Sequence, residues 1–261
     1  VTDANGCSVI VLQTVTVVAD PVFTISGTNV TCNGLNNGTA TAVLTGGLPL
    51  NYGYNWSSND GISTNNNPAG DGTTSVTGLF PAEWVINTTA SPSWGCYATA
   101  SIVITEPSVL TASSTSGSIA CNGGTTTVTV SGNGGTAPYS GTGTFTVGAG
   151  TYNYTVTDAN GCTATTSITV TEPSALTASI SSNAPNATVC SGGTAALSSS
   201  VSGGTGSYTL QWQYQDNSGN WLNTGSGATV LNASPSQTRD YRLIVTDANG
   251  CSVIVLQTVT V

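Results

Sequence analysis

Residues 152–171 read YNYTVTDANGCTATTSITVT. Two runs within this stretch, Tyr152 to Val156 and Ser167 to Thr171, alternate between polar and apolar or aromatic side chains, and so does Thr125 to Ser131. Short alternating runs that are bounded by Gly, Asn or Pro predict half-buried strands. The Asp-Ala-Asn-Gly between the first two runs suits a type I turn closed by a left-handed Gly and capped by the Asp side chain. No window has a helical period, so we expect an all-β chain of β-sandwich modules.

The turn motif belongs to a longer repeat. Residues 1–17 and 245–261 are both VTDANGCSVIVLQTVTV, an offset of 244 residues. We interpret this identity as one period of a covalent array, with residues 1–17 as the last strand of a preceding copy. A subunit that exchanges its end segment with a neighbour is the alternative. The start at Val1, without a signal peptide, fits a window from a longer chain.

A weaker repeat divides the period into modules. VTDANGC recurs at 156–162, and ITEPSVLTAS at 104–113 matches VTEPSALTAS at 170–179. Because proline interrupts the ladder between strands, we predict boundaries at Glu106-Pro107, Glu172-Pro173 and Asp20-Pro21. The predicted modules are therefore 18–105, 106–171 and 172–261. Their linkers are short enough for a semi-rigid rod of three tandem immunoglobulin-like domains.

The seven cysteines follow these modules, since each module contains one early and one late cysteine. This regularity predicts three intradomain disulfides, Cys32–Cys96, Cys121–Cys162 and Cys190–Cys251, while Cys7 pairs with the preceding copy. No C-x-x-C spacing occurs, which argues against zinc. Regular cysteine pairing indicates an oxidising, extracellular compartment.

The composition excludes several functions. The chain has 2 Lys+Arg, 11 Asp+Glu and no His, for a net charge of −9. A His-based triad cannot form, and two cations cannot neutralise a nucleic-acid backbone. No apolar run approaches the roughly 20 residues of a membrane span. No pair of carboxylates is placed for acid–base work, so we expect no catalytic residues, no enzyme activity and no cofactor.

Aromatic residues offer the main candidates for ligand binding. Tyr52, Tyr54 and Trp56 share one parity, as do Tyr208, Leu210, Trp212 and Tyr214. We interpret both sets as core faces of a sandwich, and a sugar-stacking platform is the alternative. Trp94 and Trp221 are the candidates for stacking on a ligand, because neither position is assigned to a core face.

Two further kinds of candidate site come from oxygen-rich and amide side chains. Asp60 and Asp71 flank an Asn-rich loop that could bind calcium, although a solvated loop with Asx turns is the simpler interpretation. N-x-S/T sequons make candidate glycosylation sites of Asn29, Asn37, Asn55, Asn87, Asn153, Asn186 and Asn232.

The motifs as a set resemble a known family. They include Cys32-Asn33-Gly34 and Leu79-Phe80-Pro81-Ala82 in the first module, and Cys121-Asn122-Gly123-Gly124 with VTDANGC and VTEP in the second. These two modules are similar to the SprB-type repeat of very large surface adhesins of gliding Bacteroidota. The third module, with Cys190-Ser191-Gly192-Gly193, looks like a related Ig-like or PKD-like module. The first module departs from the pattern at 91–96. The resemblance implies secretion to the cell surface and a role in adhesion or filament building.

Three functions remain open from the sequence. The first is a structural segment of an extracellular filament or giant adhesin, whose partners are copies of itself in tandem or in lateral assembly. The second is a glycan-binding adhesin module that uses an exposed tryptophan. The third is a passive spacer in a larger secreted protein.

Overall fold

The computed structural model describes residues 1–17, 19–46, 53–59, 61, 63–64, 73–89 and 97–261. These residues form 19 β-strands and one 3-10 turn, so the prediction of an all-β fold is confirmed. Within this part of the chain, no helix is long and apolar enough to cross a membrane. The chain divides into two compact units. Unit 1 comprises Val1–Thr111, Asn133–Ser140 and Thr157–Ala164, and unit 2 comprises Ala112–Gly132, Gly141–Val156 and Thr165–Val261.

Unit 1 contains a seven-stranded sandwich. One sheet has the order β1-β2-β5 and the other has the order β4-β3-β6-β7, and neighbouring strands in both sheets are antiparallel. The strands are β1 (Val22–Thr28), β2 (Gly38–Thr45), β3 (Gly53–Ser58), β4 (Ser63–Thr64), β5 (Thr73–Leu79), β6 (Ala82–Thr89) and β7 (Thr99–Ile104). The inward-facing residues of both sheets share one core, which includes Trp56, Trp84 and Ile86.

Strands β8 to β12 form the middle segment. They are β8 (Thr111–Ser116), β9 (Thr126–Asn133), β10 (Gly143–Val147), β11 (Gly150–Thr157) and β12 (Thr163–Val170). They build the sheets β10-β9-β8 and β11-β12. Val128 and Val156 are fully buried, whereas the stacked Phe145 and Tyr154 keep part of their surface exposed. The boundary between the two units runs through this segment, and the division of the sequence into three modules stays a prediction.

Unit 2 contains a second seven-stranded sandwich with the same order as the first. Its sheets are β13-β14-β17 and β16-β15-β18-β19. The strands are β13 (Thr177–Ser182), β14 (Ala195–Ser202), β15 (Thr209–Gln215), β16 (Trp221–Asn223), β17 (Val230–Ala233), β18 (Arg239–Thr246) and β19 (Ser252–Val259). The 3-10 turn Pro185–Ala187 lies between β13 and β14. Sheets of three and four antiparallel strands around one core make both sandwiches immunoglobulin-like.

The aromatic residues occupy the cores, as their alternation predicts. Trp56 and Trp212 are fully buried, and the indole N–H of Trp212 donates to the Ala228 carbonyl at 2.9 Å. Tyr54 is also buried, whereas Tyr208 is 39% exposed. Tyr52 lies outside the described residues. The core interpretation is therefore confirmed for the central residues of both sets.

The two copies of the 17-residue repeat have different surroundings. In 245–261, Val245 and Val259 are fully buried in the second sandwich. In 1–17, the chain makes only its own hairpin, bridged at Thr2 and Ser8, and Leu12 is 91% exposed. The buried copy shows that this sequence needs a preceding β18 strand and a facing sheet to cover its apolar side.

The predicted disulfides are wrong. Cys32 is bonded to Cys162 and Cys121 to Cys251, whereas Cys7 and Cys190 are free and exposed. The predicted pairs Cys32–Cys96, Cys121–Cys162 and Cys190–Cys251 are therefore all overturned, and Cys96 itself lies outside the described residues.

The second sandwich gives the physical reason for this error. The loop of Cys190 is held at the far end of β19, where the Val189 N–H donates to the Thr260 carbonyl at 2.9 Å. Cys251 directly precedes the first residue of the same strand. An eight-residue strand is about 26 Å long, whereas a disulfide needs Cα atoms about 4.4–6.8 Å apart. Cys190 and Cys251, the early and late cysteines of this sandwich, are therefore too far apart to bond.

Candidate functional site

Both disulfides lie in junctions that are built from the same elements. Each joins an early-cysteine loop to a late-cysteine turn 130 residues further along, with 5.7 Å between the Cα atoms. The first junction, in unit 1, consists of residues 31–34, 106–110, 134–136 and 158–162. The second junction, in unit 2, consists of residues 120–123, 172–176, 203–205 and 247–251. In terms of the predicted modules, each bond crosses from one module into the next.

The late-cysteine turn is organised by a buried aspartate. In the first junction, one carboxylate oxygen of Asp158 accepts the N–H groups of Asn160 and Cys162, both at 2.9 Å, and the other accepts Thr136 N–H at 2.9 Å. Gly161 completes the turn with a φ of 85°. This is the capped turn that the sequence predicts.

The second junction repeats this turn. One oxygen of Asp247 accepts Asn249 N–H at 3.0 Å and Cys251 N–H at 2.9 Å, and the other accepts Thr205 N–H at 2.9 Å. Because the turn is fixed on both sides of the cysteine, the thiol has little freedom before it bonds. A pre-ordered thiol reduces the entropy that disulfide formation must remove.

Backbone donors set the electrostatics of the two aspartates. Both are buried, with exposures of 6% and 5%. Burial by itself raises the pKa of a carboxyl, but the N–H donors of the turn outweigh it, so the pKa of Asp158 lies below its ordinary value. The same balance lowers the pKa of Asp247. Since the chain has only two cationic side chains, backbone N–H groups take the place of counter-ions here.

An asparagine joins each late-cysteine turn to the early-cysteine loop. The side-chain amide of Asn160 donates to the Thr31 carbonyl at 2.9 Å, directly before Cys32. Asn249 makes the same bond to the Ala120 carbonyl at 3.0 Å, directly before Cys121. The disulfide in each junction is therefore flanked by a hydrogen bond between the same two segments.

The early-cysteine loop is fixed by the Glu-Pro pair. In the first junction, Gly34 N–H donates to the Glu106 carboxylate at 2.7 Å, and the Asn33 amide donates to the Pro107 carbonyl at 3.1 Å. In the second junction, the corresponding bonds join Gly123 to Glu172 at 2.5 Å and Asn122 to Pro173 at 3.1 Å. The Glu-Pro segments, which the sequence predicts only as boundaries between modules, are thus parts of the site.

A double glycine lets another loop approach the Glu-Pro segment. A Cβ on Gly134 would lie 2.0 Å from the Val109 carbonyl oxygen, and one on Gly203 would lie 1.9 Å from the Ala175 carbonyl oxygen. Both glycines have positive φ, of 78° and 74°. A larger residue is therefore excluded by contact as well as by backbone conformation. The hydroxyl groups of Tyr139 and Tyr208 donate to the carbonyls of these two glycines.

The other candidate sites have different outcomes. Trp94, Asp60 and Asp71 lie outside the described residues. Trp221 is half-buried, and the Arg242 guanidinium lies 4.4 Å from the centre of its ring, so one face is already occupied. Among the residues that the structure describes, no group of three His, Cys, Asp or Glu side chains is placed to hold a metal.

The exposed sequon residues Asn29 and Asn37 make structural hydrogen bonds through their side chains. Asn29 accepts Thr105 N–H at 3.0 Å, and the Asn37 amide donates to the Thr31 hydroxyl at 2.7 Å. Asn55 and Asn87 are half-buried in strands β3 and β6. Exposed positions are held by Asn153, Asn186 and Asn232. A glycan is sterically easiest at these last three.

Comparison with known proteins adds a structural likeness. No protein-family model matches the chain, and no curated protein matches it. A solved structure of Clostridium thermocellum CbhA fibronectin(III)-like modules is similar, with 8% sequence identity and a TM-score of 0.27. The likeness covers 91% of this chain and 94% of that one. The immunoglobulin-like assignment rests on the strand order of the two sandwiches.

Proposed function

We propose that this chain is a structural segment of an extracellular tandem-repeat protein, either a filament or the stalk of a large surface adhesin. The observation that carries the proposal is the duplicated junction, in which a disulfide and matching hydrogen bonds recur at two places. A catalytic or binding site is usually built once per domain. A site that recurs with the repeat itself serves the connection between repeats.

The disulfide pattern suits a mechanical role because the two bonds overlap along the chain. The first spans positions 32 to 162 and the second spans 121 to 251, so residues 121–162 lie inside both loops. A force applied at the N-terminus is carried across the Cys32–Cys162 bond, because most of the first sandwich follows Cys32 in the chain and lies inside the loop that this bond closes. The bonds therefore transmit the load past the sandwich cores, which keeps the extension small.

The same chemistry supports the proposed compartment. Disulfides persist in oxidising environments, and four bonded cysteines among the six that the structure describes suit the cell surface or the extracellular space. Only 5% of the residues are charged, and the surface is rich in Ser, Thr and Asn. Weak repulsion between such surfaces favours lateral packing of neighbouring copies. The proposed role needs no cofactor and no catalytic residue.

Immunogold electron microscopy tests this role. Antibodies against the chain should label fibres or a fuzzy coat outside intact cells of the source organism. Label that appears only after the cells are permeabilised would contradict the proposal. Pretreating intact cells with an impermeant thiol-alkylating reagent gives the matched test of compartment. The bonded cysteines should stay unmodified until a reductant is added.

A further inference from the structure

The loop of Cys190 has the same backbone geometry as a loop that is already bonded. Gly192 has a φ of 74° and the corresponding Gly123 has 76°. Gly193 N–H donates to the Cys190 carbonyl at 2.7 Å, and Gly124 N–H donates to the Cys121 carbonyl at 2.9 Å. A Cβ on either second glycine would lie 2.9 Å from the carbonyl oxygen of its cysteine.

The position of this loop also matches that of a bonded cysteine. Val189 N–H donates to the Thr260 carbonyl at 2.9 Å, just after the last strand of the second sandwich. In the first sandwich, Val30 N–H donates to the Thr105 carbonyl at 3.0 Å, just after β7, and Cys32 follows two residues later. Each loop is therefore anchored where the chain leaves its own sandwich. At that place, Cys32 meets a cysteine turn from the next part of the chain.

We propose that Cys190 is half of a third junction, and that it forms a disulfide with a second copy of this chain. This inference rests on the proposed function and extends it from the junctions inside one period to the junction between periods. Because 245–261 repeats 1–17, the chain after position 261 is expected to resume at residue 18 of the next copy. The module that follows Cys190 is then a copy of 18–105.

The sequence identifies the partner cysteine. In the two bonded junctions, the early cysteine takes the late cysteine of the following module. The late cysteine of 18–105 is Cys96, which lies outside the described residues and is identified here by sequence alone. Cys7 is not the expected partner, because its turn is the twin of the Cys251 turn. Asp3 accepts the N–H groups of Asn5 at 2.9 Å and Cys7 at 3.0 Å, as Asp247 does in the turn held by Cys121.

The chemistry of the bond is ordinary thiol–disulfide exchange. The two thiols lose two protons and two electrons, and a disulfide oxidant such as oxidised glutathione is reduced to two thiols. The third junction has fewer hydrogen bonds available than the other two, since Ser191 stands where they have Asn33 and Asn122. The third junction therefore depends more on its covalent bond than the other two junctions do.

A two-copy protein tests the proposal. It consists of the full chain followed by a second copy of 18–261, refolded in a glutathione redox buffer, alkylated without reduction and digested for mass spectrometry. With seven cysteines in the first copy and six in the second, the four known bonds leave five thiols, and the proposed bond leaves three. The expected result is three alkylated thiols and a peptide pair that joins Cys190 of the first copy to Cys96 of the second.

Five alkylated thiols, or Cys190 joined to Cys7, would overturn the inference. The control variant Cys190→Ser in the first copy should leave four alkylated thiols and no peptide pair between copies. The Cys32–Cys162 and Cys121–Cys251 pairs in the same digest report on the proposed function separately. If they are present while Cys190 is free, only the inference fails. If they are absent, the junctions that support the proposed function fail as well.

Discussion

Opening one junction should lengthen the chain under force by an amount that the disulfide positions fix. With both bonds closed, the covalent path from Cys32 to Cys251 crosses to Cys162, runs back to Cys121 and crosses again. This path contains about 40 residues, or about 140 Å at about 3.5 Å per residue. Full reduction replaces it with about 220 residues, or about 770 Å.

The variant Cys121→Ser/Cys251→Ser should give an intermediate length. The path then crosses the Cys32–Cys162 bond and follows about 90 residues to position 251, or about 310 Å. The twin variant Cys32→Ser/Cys162→Ser should give the same value, because both bonds span 130 residues and overlap symmetrically. Single-molecule pulling from the two termini measures these contour lengths. Cys7→Ser is the matched control and should change nothing, since Cys7 is free.

Bonds within the predicted modules would give a different result. The Cys121→Ser/Cys251→Ser variant would then break two disulfides and leave only a Cys32–Cys96 bond, with about 155 residues, or about 540 Å, to extend. A measured length near that value, or unequal lengths for the twin variants, would refute the reasoning. The lengths expected from the two disulfide patterns differ by more than 200 Å, so single-molecule pulling distinguishes them.

Further tests probe single positions. Gly203→Ala should lower the free energy of unfolding of unit 2 by several kcal/mol in urea unfolding, because the added Cβ would meet a carbonyl oxygen. Gly250→Ala is the matched control, with a φ of 85° and nothing within 4 Å of the added Cβ, and it should lower that free energy by only about 1–2 kcal/mol. The lowered pKa of Asp247 makes its carboxylate stabilising above the ordinary aspartate pKa of about 3.9, and this contribution disappears as pH falls through the lowered value. The stability gap between the chain and Asp247→Asn should therefore shrink below about pH 4, and a gap that is constant with pH would contradict this. On a glycan array, Trp221→Ala should match the unchanged chain, because Arg242 covers one ring face; sugar binding that this variant loses would support the glycan-binding alternative instead.

Local sequence is sufficient for most of the fold. Alternation around the Asp-Ala-Asn-Gly turn predicts β11 and β12, and the parity of the aromatic residues predicts the burial of Trp56 and Trp212. These features depend on residues close together in the chain, where strand period and turn geometry leave few choices. The VTDANGC repeat also shows from the sequence alone which segments share the Asp-capped turn.

The site itself was only partly predictable. The regular occurrence of one early and one late cysteine per module favours pairing within the module, and that prediction is wrong. The equal separation of 130 residues for Cys32–Cys162 and Cys121–Cys251 is a signal in the sequence, but other pairings are equally regular. The roles of Glu106 and Glu172 had no local signal, because their partners are the N–H groups of Gly34 and Gly123, more than 45 positions away.

The sequence by itself determined several strands, among them β11 and β12, the capped turns, the central aromatic core positions and the identity of 1–17 with 245–261, because each depends on short-range periodicity or on identity between segments. Only the tertiary structure decided which cysteines meet. A disulfide requires two Cα atoms within a few ångströms of each other, and the second sandwich holds Cys190 and Cys251 at opposite ends of β19, a strand about 26 Å long. The two bonds therefore join Cys32 to Cys162 and Cys121 to Cys251, and each crosses from one predicted module into the next.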